Sequence, residues 1–329
     1  MNLMQVKKLM AALLADRIVP GISYAWLSGQ SVYEEVLGEA QWLPQPAPLR
    51  PGMLYDIASL TKVLGTLTVF LQQVDVGSVA VDDEIRQYLP GFDAPTTFRQ
   101  ALTHTSGLEG YIPHRDQLSA PDLRQALLTQ LHPTTAANHQ VVYRDVNLLL
   151  VGWALERIVG SPIQTLITDQ VLRPLGLPTA TFTPQPDHSV PTTFSQERGL
   201  LKGRVHDPKS AILGVHSGAA GLFASLNDLI IFTQYIFGQR QNSVWPSFYR
   251  QSPTDATAGL GRALGWDLRG DAHNRNWFYH TGYTGTFWLI QPQTQQALIV
   301  LTNRVHPTVN ADFLPRRDEI VKTVLENAH

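Results

Sequence analysis

Ser59 and Lys62 stand three residues apart in the run Asp56-Ile57-Ala58-Ser59-Leu60-Thr61-Lys62. From Leu60 onward Val63, Leu64, Leu67, Phe70, Leu71 and Val74 recur at helical spacing, which places Ser59 in or just before the first turn of a core-facing helix. Residues i and i+3 share a helix face. The serine hydroxyl would lie beside free backbone N–H groups and the positive end of the helix dipole, and a lysine whose pKa burial had lowered would take its proton. That chemistry activates an alcohol for attack on an acyl carbon. A capping serine followed by a solvated lysine is the plain alternative. The lysines are Lys7, Lys8, Lys62, Lys202, Lys209 and Lys322, and only Lys62 follows a serine at this distance.

Acyl transfer also needs a proton route to the leaving group and donors for the developing oxyanion. Tyr143-Arg144-Asp145 lies in a short loop before a helix opened by Asn147, which puts a phenol and a carboxylate at a helix entrance; an aromatic plug and an Asp cap fit the same residues. His280-Thr281-Gly282-Tyr283-Thr284-Gly285-Thr286 sits in or beside a predicted strand, where glycine lets a backbone or a ligand come close, unless it is only a hairpin bend. Leu102-Thr103-His104-Thr105-Ser106-Gly107-Leu108 reads as scaffold, and His206-Asp207 as a loop anchor on the floor of the site. A second serine, Ser217 in Val215-His216-Ser217-Gly218, has no preceding strand and no nucleophile elbow. Eleven scattered histidines form no His-Glu-x-x-His pair, so no metal and no cofactor is expected.

The elements that must position these groups follow from periodicity. Segments 21–28 and 31–37 alternate around Gly29-Gln30 as a β-hairpin, and the Ser59 helix is predicted to run to about Gly77. Helical spacing then covers 121–131, 147–159 up to Gly160, and 162–172; 183–220 is loop-rich, and a helix follows over 227–237. Strands return at 277–281, 284–291 and 297–303, before a last helix over 311–327 with Phe313, Ile320, Val321 and Val324 on one side. Strands from both chain ends predict an α+β fold, with one antiparallel sheet flanked by helices and an all-helical lobe at its edge. The expected division is an α/β domain of 1–65 with 200–329, and a helical insertion of 66–199.

With 329 residues the chain has ample core. A net charge of -2 gives no electrostatic reason to expect nucleic acid, and no glycine-rich loop matches a phosphate cradle. Cysteine is absent, which removes disulfides and thiolate chemistry but leaves the compartment open. Lys7-Lys8 and the following apolar run imitate a signal peptide, but the run stops at Asp16-Arg17 without a cleavage site, so it reads as an amphipathic first helix. No transmembrane segment is expected. The chain as given is expected in the cytoplasm, or outside it if the sequence is part of a longer chain. Oligomeric state is not readable.

In this order and spacing, the Ser59, Leu102, Tyr143, Val205-His206-Asp207-Pro208, Gly218-Ala219-Ala220-Gly221-Leu222-Phe223 and His280 segments resemble the serine β-lactamase and penicillin-binding protein superfamily. The resemblance is to the class C β-lactamase-related branch, with its D-alanyl-D-alanine peptidases and family VIII carboxylesterases. It implies Ser59 as the acylated nucleophile, Lys62 as the group that takes and relays its proton, and Tyr143 as the second acid/base. It also implies an oxyanion hole from the N–H groups of Ser59 and Tyr283, with Asp145, His280, Thr281 and Gly282 binding substrate.

Two departures bear on substrate. Tyr143-x-Asp145 replaces the branch's usual Tyr-x-Asn, exchanging a donor for an acceptor, and His280-Thr281-Gly282 replaces Lys-Thr-Gly, which weakens a fixed cation. The expected function is therefore a carboxylesterase acting on small esters. The alternatives are a D-alanyl-D-alanine carboxypeptidase or β-lactamase, and, in another class, a non-catalytic penicillin-binding sensor or assembly protein.

Overall fold

Seven antiparallel strands form one sheet in the computed structural model, which describes residues 3–197 and 199–328. Their spatial order is Asp267–Gly270, Asn276–Thr281, Phe287–Gln291, Gln296–Thr302, Gly21–Ser28, Ser31–Gln41 and Ala47–Pro48. The first strand pairs with the last, in a register running from Ile22 opposite Thr302 to Ser28 opposite Gln296. Both ends of the chain thus meet in mid-sheet, as the strand pattern predicts. Gly29, with φ of 54°, supplies the left-handed turn that closes the Gly21–Ser28 and Ser31–Gln41 hairpin.

Alternation along the strands loads both faces. Trp277, Tyr279, Phe287, Leu289, Leu298 and Val300 meet Val6, Met10 and Leu13 of the Leu3–Ala15 helix and Phe313, Ile320 and Val324 of the Phe313–Glu326 helix. The intervening residues Phe278, Trp288, Ile290, Ile299 and Leu301 join the larger core, with Leu229 and Phe232 of the Leu226–Ile236 helix. Each large aliphatic or Phe side chain removed from water contributes about 1.5–3 kcal/mol. This double burial makes the sheet a stiff platform, and the Ser59 helix starts against it.

Several boundaries differ from expectation for local reasons. The Ser59 helix ends at Asp75, and Gly77, with φ of 75°, turns the chain away. Its entry is wider than an α-helix: Lys62–Thr66 form a π-turn before Leu67–Asp75. The Tyr143 helix spans Asp145–Val159 and opens two residues before Asn147, because Arg144 is still extended, with φ of -142°. Gly160 closes it at φ 85°. The strand expected from Thr284 begins at Phe287, since Gly285, at φ 114°, holds 282–285 in a turn. Inside 183–220 a short helix, Pro208–Leu213, is capped by Asp207. No single helix among the described residues is long and apolar enough to cross a membrane.

Candidate active site

Ser59 immediately precedes its helix, and its backbone N–H donates to no group among the described residues. The preceding residue, Ala58, is left-handed at φ 47°, a conformation that costs a residue with a Cβ about 1–2 kcal/mol. Strain of this kind is tolerated where the surrounding structure over-determines it.

Lys62 is fully buried behind the serine, and its Nζ donates to Ser59 Oγ at 2.7 Å and to the Ala219 carbonyl at 2.7 Å. Asp145 Oδ1 lies 2.8 Å from the same nitrogen. Burial alone would lower the Lys62 pKa, but the Tyr143 oxygen and the Asp145 carboxylate outweigh it and raise the value above the ordinary lysine range. The condition under which Lys62 would take the serine proton, a pKa lowered by burial, is therefore not met, and the group beside Ser59 is a firmly held ammonium.

Asp145 was expected both to meet substrate and to help orient Lys62, and its first oxygen makes the second of these contacts. Its second oxygen instead takes Lys209 Nζ at 3.0 Å, and Lys209 also reaches Asp207 Oδ2 at 3.0 Å. Burial would raise the Asp145 pKa, yet Lys62 and Lys209 hold it below the usual carboxylate range. With both oxygens taken by ammonium groups, Asp145 anchors cations and offers little to a substrate.

Tyr143 stands at the mouth, half exposed, with its ring 5.4 Å from Lys62 Nζ. His104 packs on one side at 4.2 Å between centroids, and His280 lies at 6.0 Å. Both histidines are buried, and burial together with nearby Lys62 and Arg262 drives their pKa values well below the ordinary range, so both rings are neutral. His104 Nδ1 accepts from the Arg144 amide at 3.3 Å and lies 3.2 Å from Asn147 Nδ2, tying the Tyr143 loop to the helix it enters. Arg262 is buried alongside, and its Nε and Nη2 have no hydrogen-bond partner among the described residues.

The last wall is the His280 strand. An added Cβ at Gly282 would lie 2.1 Å from Thr286 Oγ1, 2.6 Å from the Ile57 carbonyl and 3.3 Å from Ala58 Cβ, so this strand end lies directly on the turn carrying Ser59. The next amide, that of Tyr283, is unpaired among the described residues, as is the Thr281 hydroxyl. Two free N–H groups beside one hydroxyl, one ammonium and one phenol form the constellation for acyl transfer.

The family model described as Beta-lactamase matches residues 6–322. The chain belongs to the β-lactamase family. Members of this family are serine hydrolases, and this chain is one. An Escherichia coli K12 relative, provisionally named a D-alanyl-D-alanine carboxypeptidase, is 28% identical over 85% of this chain and 77% of its own length. The same fold occurs in a β-lactamase/D-alanine carboxypeptidase from Yersinia pestis solved with citrate, with a TM-score of 0.74 and 19% identity over 99% of this chain and 100% of that one. A hydrolase with promiscuous acyltransferase activity gives 0.75 at 18% identity, covering 96% and 97%.

The site of this β-lactamase-family chain has contributors that residue spacing did not single out. Lys209, in the short Pro208–Leu213 helix, and Arg262, from a loop, carry charge into the site from stretches without periodicity, and His104 acts from a segment read only as scaffold. The rival nucleophile Ser217 is fully buried, with its hydroxyl donating to Ser210 Oγ at 2.8 Å. Gly282 offers a direct check on the wall. In Gly282→Ala the methyl group meets backbone on the Ser59 turn, so the strand end must retreat, and kcat should fall by about 10- to 100-fold. Steady-state kinetics on folded protein measures this, and an unchanged kcat would contradict the close approach.

Proposed function

We propose that this chain is a serine carboxylesterase that forms an acyl-enzyme on Ser59 from small neutral esters. The supporting observation is the buried Lys62 ammonium, held 2.7 Å from Ser59 Oγ and 2.8 Å from Asp145, with Tyr143 facing it. Because Lys62 keeps its proton, Tyr143, reacting in its phenolate form, is the group that takes the Ser59 proton, and the ammonium balances the phenolate charge before the transfer and again once the proton has gone to the leaving group. Ser59 Oγ bonds to the ester carbon, the bond to the alkoxy oxygen breaks, and Tyr143 delivers a proton to the departing alcohol. Water then bonds to the acyl carbon, its proton passes through Tyr143 back to Ser59, and the acid leaves. The amides of Ser59 and Tyr283 would hold the oxyanion in both steps, and Thr281 would orient the substrate.

Preference for neutral substrates rests on His280, which is uncharged where a cation would fix a substrate carboxylate, and on Asp145, which has no free oxygen for a side-chain amide. A cavity of about 660 Å³ opens from Tyr143 and Lys209 towards Tyr111, Ile112 and Leu131, giving room for a short acyl chain. A second reading, D-alanyl-D-alanine carboxypeptidase, is favoured by one feature: the guanidinium edge of Arg262, unpaired among the described residues, which would receive a peptide carboxylate.

One set of assays separates the readings. The esterase reading expects p-nitrophenyl butyrate to exceed nitrocefin in kcat/KM by at least ~10²-fold, with Ser59→Ala inactive. Turnover of a D-alanyl-D-alanine peptide that disappears in Arg262→Met, with ester turnover kept, would instead establish the peptidase. Nitrocefin hydrolysis without ester hydrolysis would sink the proposal.

A further inference from the structure

Asp56 is a buried carboxylate that the acyl-transfer chemistry does not use. It is 2% exposed, three residues before Ser59, in the short ribbon formed by Tyr55–Asp56 and Phe223–Ala224. Its Oδ1 accepts the Ala58 amide at 2.9 Å and so closes the left-handed turn that presents Ser59. Its Oδ2 accepts the His206 amide at 2.7 Å, and the His206 ring stacks on Tyr283 with centroids 5.5 Å apart and planes at 24°. Its backbone carbonyl accepts Thr284 Oγ1 at 2.8 Å. On the far side of Tyr283, Arg304 Nε donates to the Tyr283 carbonyl at 2.9 Å, and its guanidinium lies 4.9 Å from the ring.

We infer that Asp56 is a positioning residue that fixes both halves of the oxyanion hole in one register. One carboxylate oxygen sets the amide of Ser59 through the Ala58 turn, while the other sets Tyr283 through His206, with Thr284 as a direct strut between the two segments. The residue type follows. Two backbone N–H groups converge on one side chain, and only a carboxylate offers an acceptor to each, whereas an amide would turn NH₂ towards one of them. Burying such a group is expensive, and burial pushes its pKa up to about 6. A costly carboxylate with no contact to substrate is explained if the register it maintains is needed in the transition state, where a misplacement of about 1 Å can reduce rate about 10²-fold.

This inference rests on the acyl-enzyme reading, and its test keeps the two apart. Wild type, Asp56→Asn and Thr284→Val are titrated with a fluorophosphonate to count reactive Ser59, and rates are expressed per titrated site, so partial unfolding does not enter. The expected result is a per-site kcat for p-nitrophenyl butyrate about 10- to 100-fold lower in both variants, with KM within about twofold. The inhibition constant of phenylboronic acid, whose serine adduct is a tetrahedral anion, should rise by the same factor. Should Asp56→Asn not fold, His206→Ala measured in the same way carries the test beside Thr284→Val, because it removes the ring through which the carboxylate sets Tyr283. Unchanged per-site kcat and boronate affinity in a folded variant would overturn the inference while leaving the acyl-enzyme reading intact, as would a loss confined to KM. If wild-type Ser59 takes no label, the catalytic reading itself fails and takes this one with it.

Discussion

Lys62→Met yields a folded protein whose kcat/KM for p-nitrophenyl butyrate is lower by about 10³-fold or more. The magnitude follows from the work the ammonium does: it is 2.7 Å from the Ser59 hydroxyl and stabilises negative charge on the Tyr143 oxygen, so both ends of the proton transfer lose their support together. Methionine has a similar length and fills the apolar space left by the lysine stem. Folding survives because Asp145 keeps its second cation, Lys209 at 3.0 Å. Steady-state kinetics beside a circular-dichroism melt checks both statements. More than about a tenth of wild-type activity would show that the ammonium is dispensable, contrary to the usual size of acid–base contributions.

The same lysine shows where reading the chain succeeds and where it stops. Ser59 and Lys62 were legible because helical periodicity puts i and i+3 on one face, and the structure keeps that relation although the entry turn is a π-turn. The sheet was legible for a similar reason. The first hairpin alternates, the later strands are short apolar runs bounded by turns, and side chains pointing alternately to either face of those runs fill both cores. The protonation state of Lys62 was not legible. It depends on Asp145 arriving from a residue 83 positions later, and burial, the only influence inferable locally, points the other way. Long-range charge pairs leave no periodic trace.

Lys209, Arg262 and Asp56 escaped for the same physical reason. Each lies in or beside a loop, and each is defined by partners distant in sequence: Lys209 by Asp145, Arg262 by the Tyr143 and His280 cluster, Asp56 by His206 and Thr284. His104 was half legible. Its segment was read as structural, and it does support Tyr143, but only the ring contact at 4.2 Å connects that support to chemistry.

Asp145→Asn should lower both stability and turnover. The substitution leaves Lys62 and Lys209 facing a neutral amide, so a buried ammonium loses its anion. Removing one partner of a fully buried pair costs about 3–5 kcal/mol, and because Asp145 keeps a quarter of its surface in solvent the expected loss is about 2–3 kcal/mol. The pH dependence follows from the two shifts. Asp145 has its folded pKa depressed, so its contribution is fully present above the unfolded value near 4 and is lost as pH falls through the folded one. Lys62 has its folded pKa raised, so its contribution is present below the unfolded value near 10.5 and is lost only as pH rises through the folded one. The difference in melting temperature between wild type and Asp145→Asn should therefore be flat from about pH 5 to 9 and narrow below about pH 4. Turnover should fall in the same flat window, because an ammonium without its anion holds Ser59 and Tyr143 less firmly. A stability difference that persists undiminished to about pH 2 would mean that Asp145 stabilises the fold through packing, with its charge uninvolved.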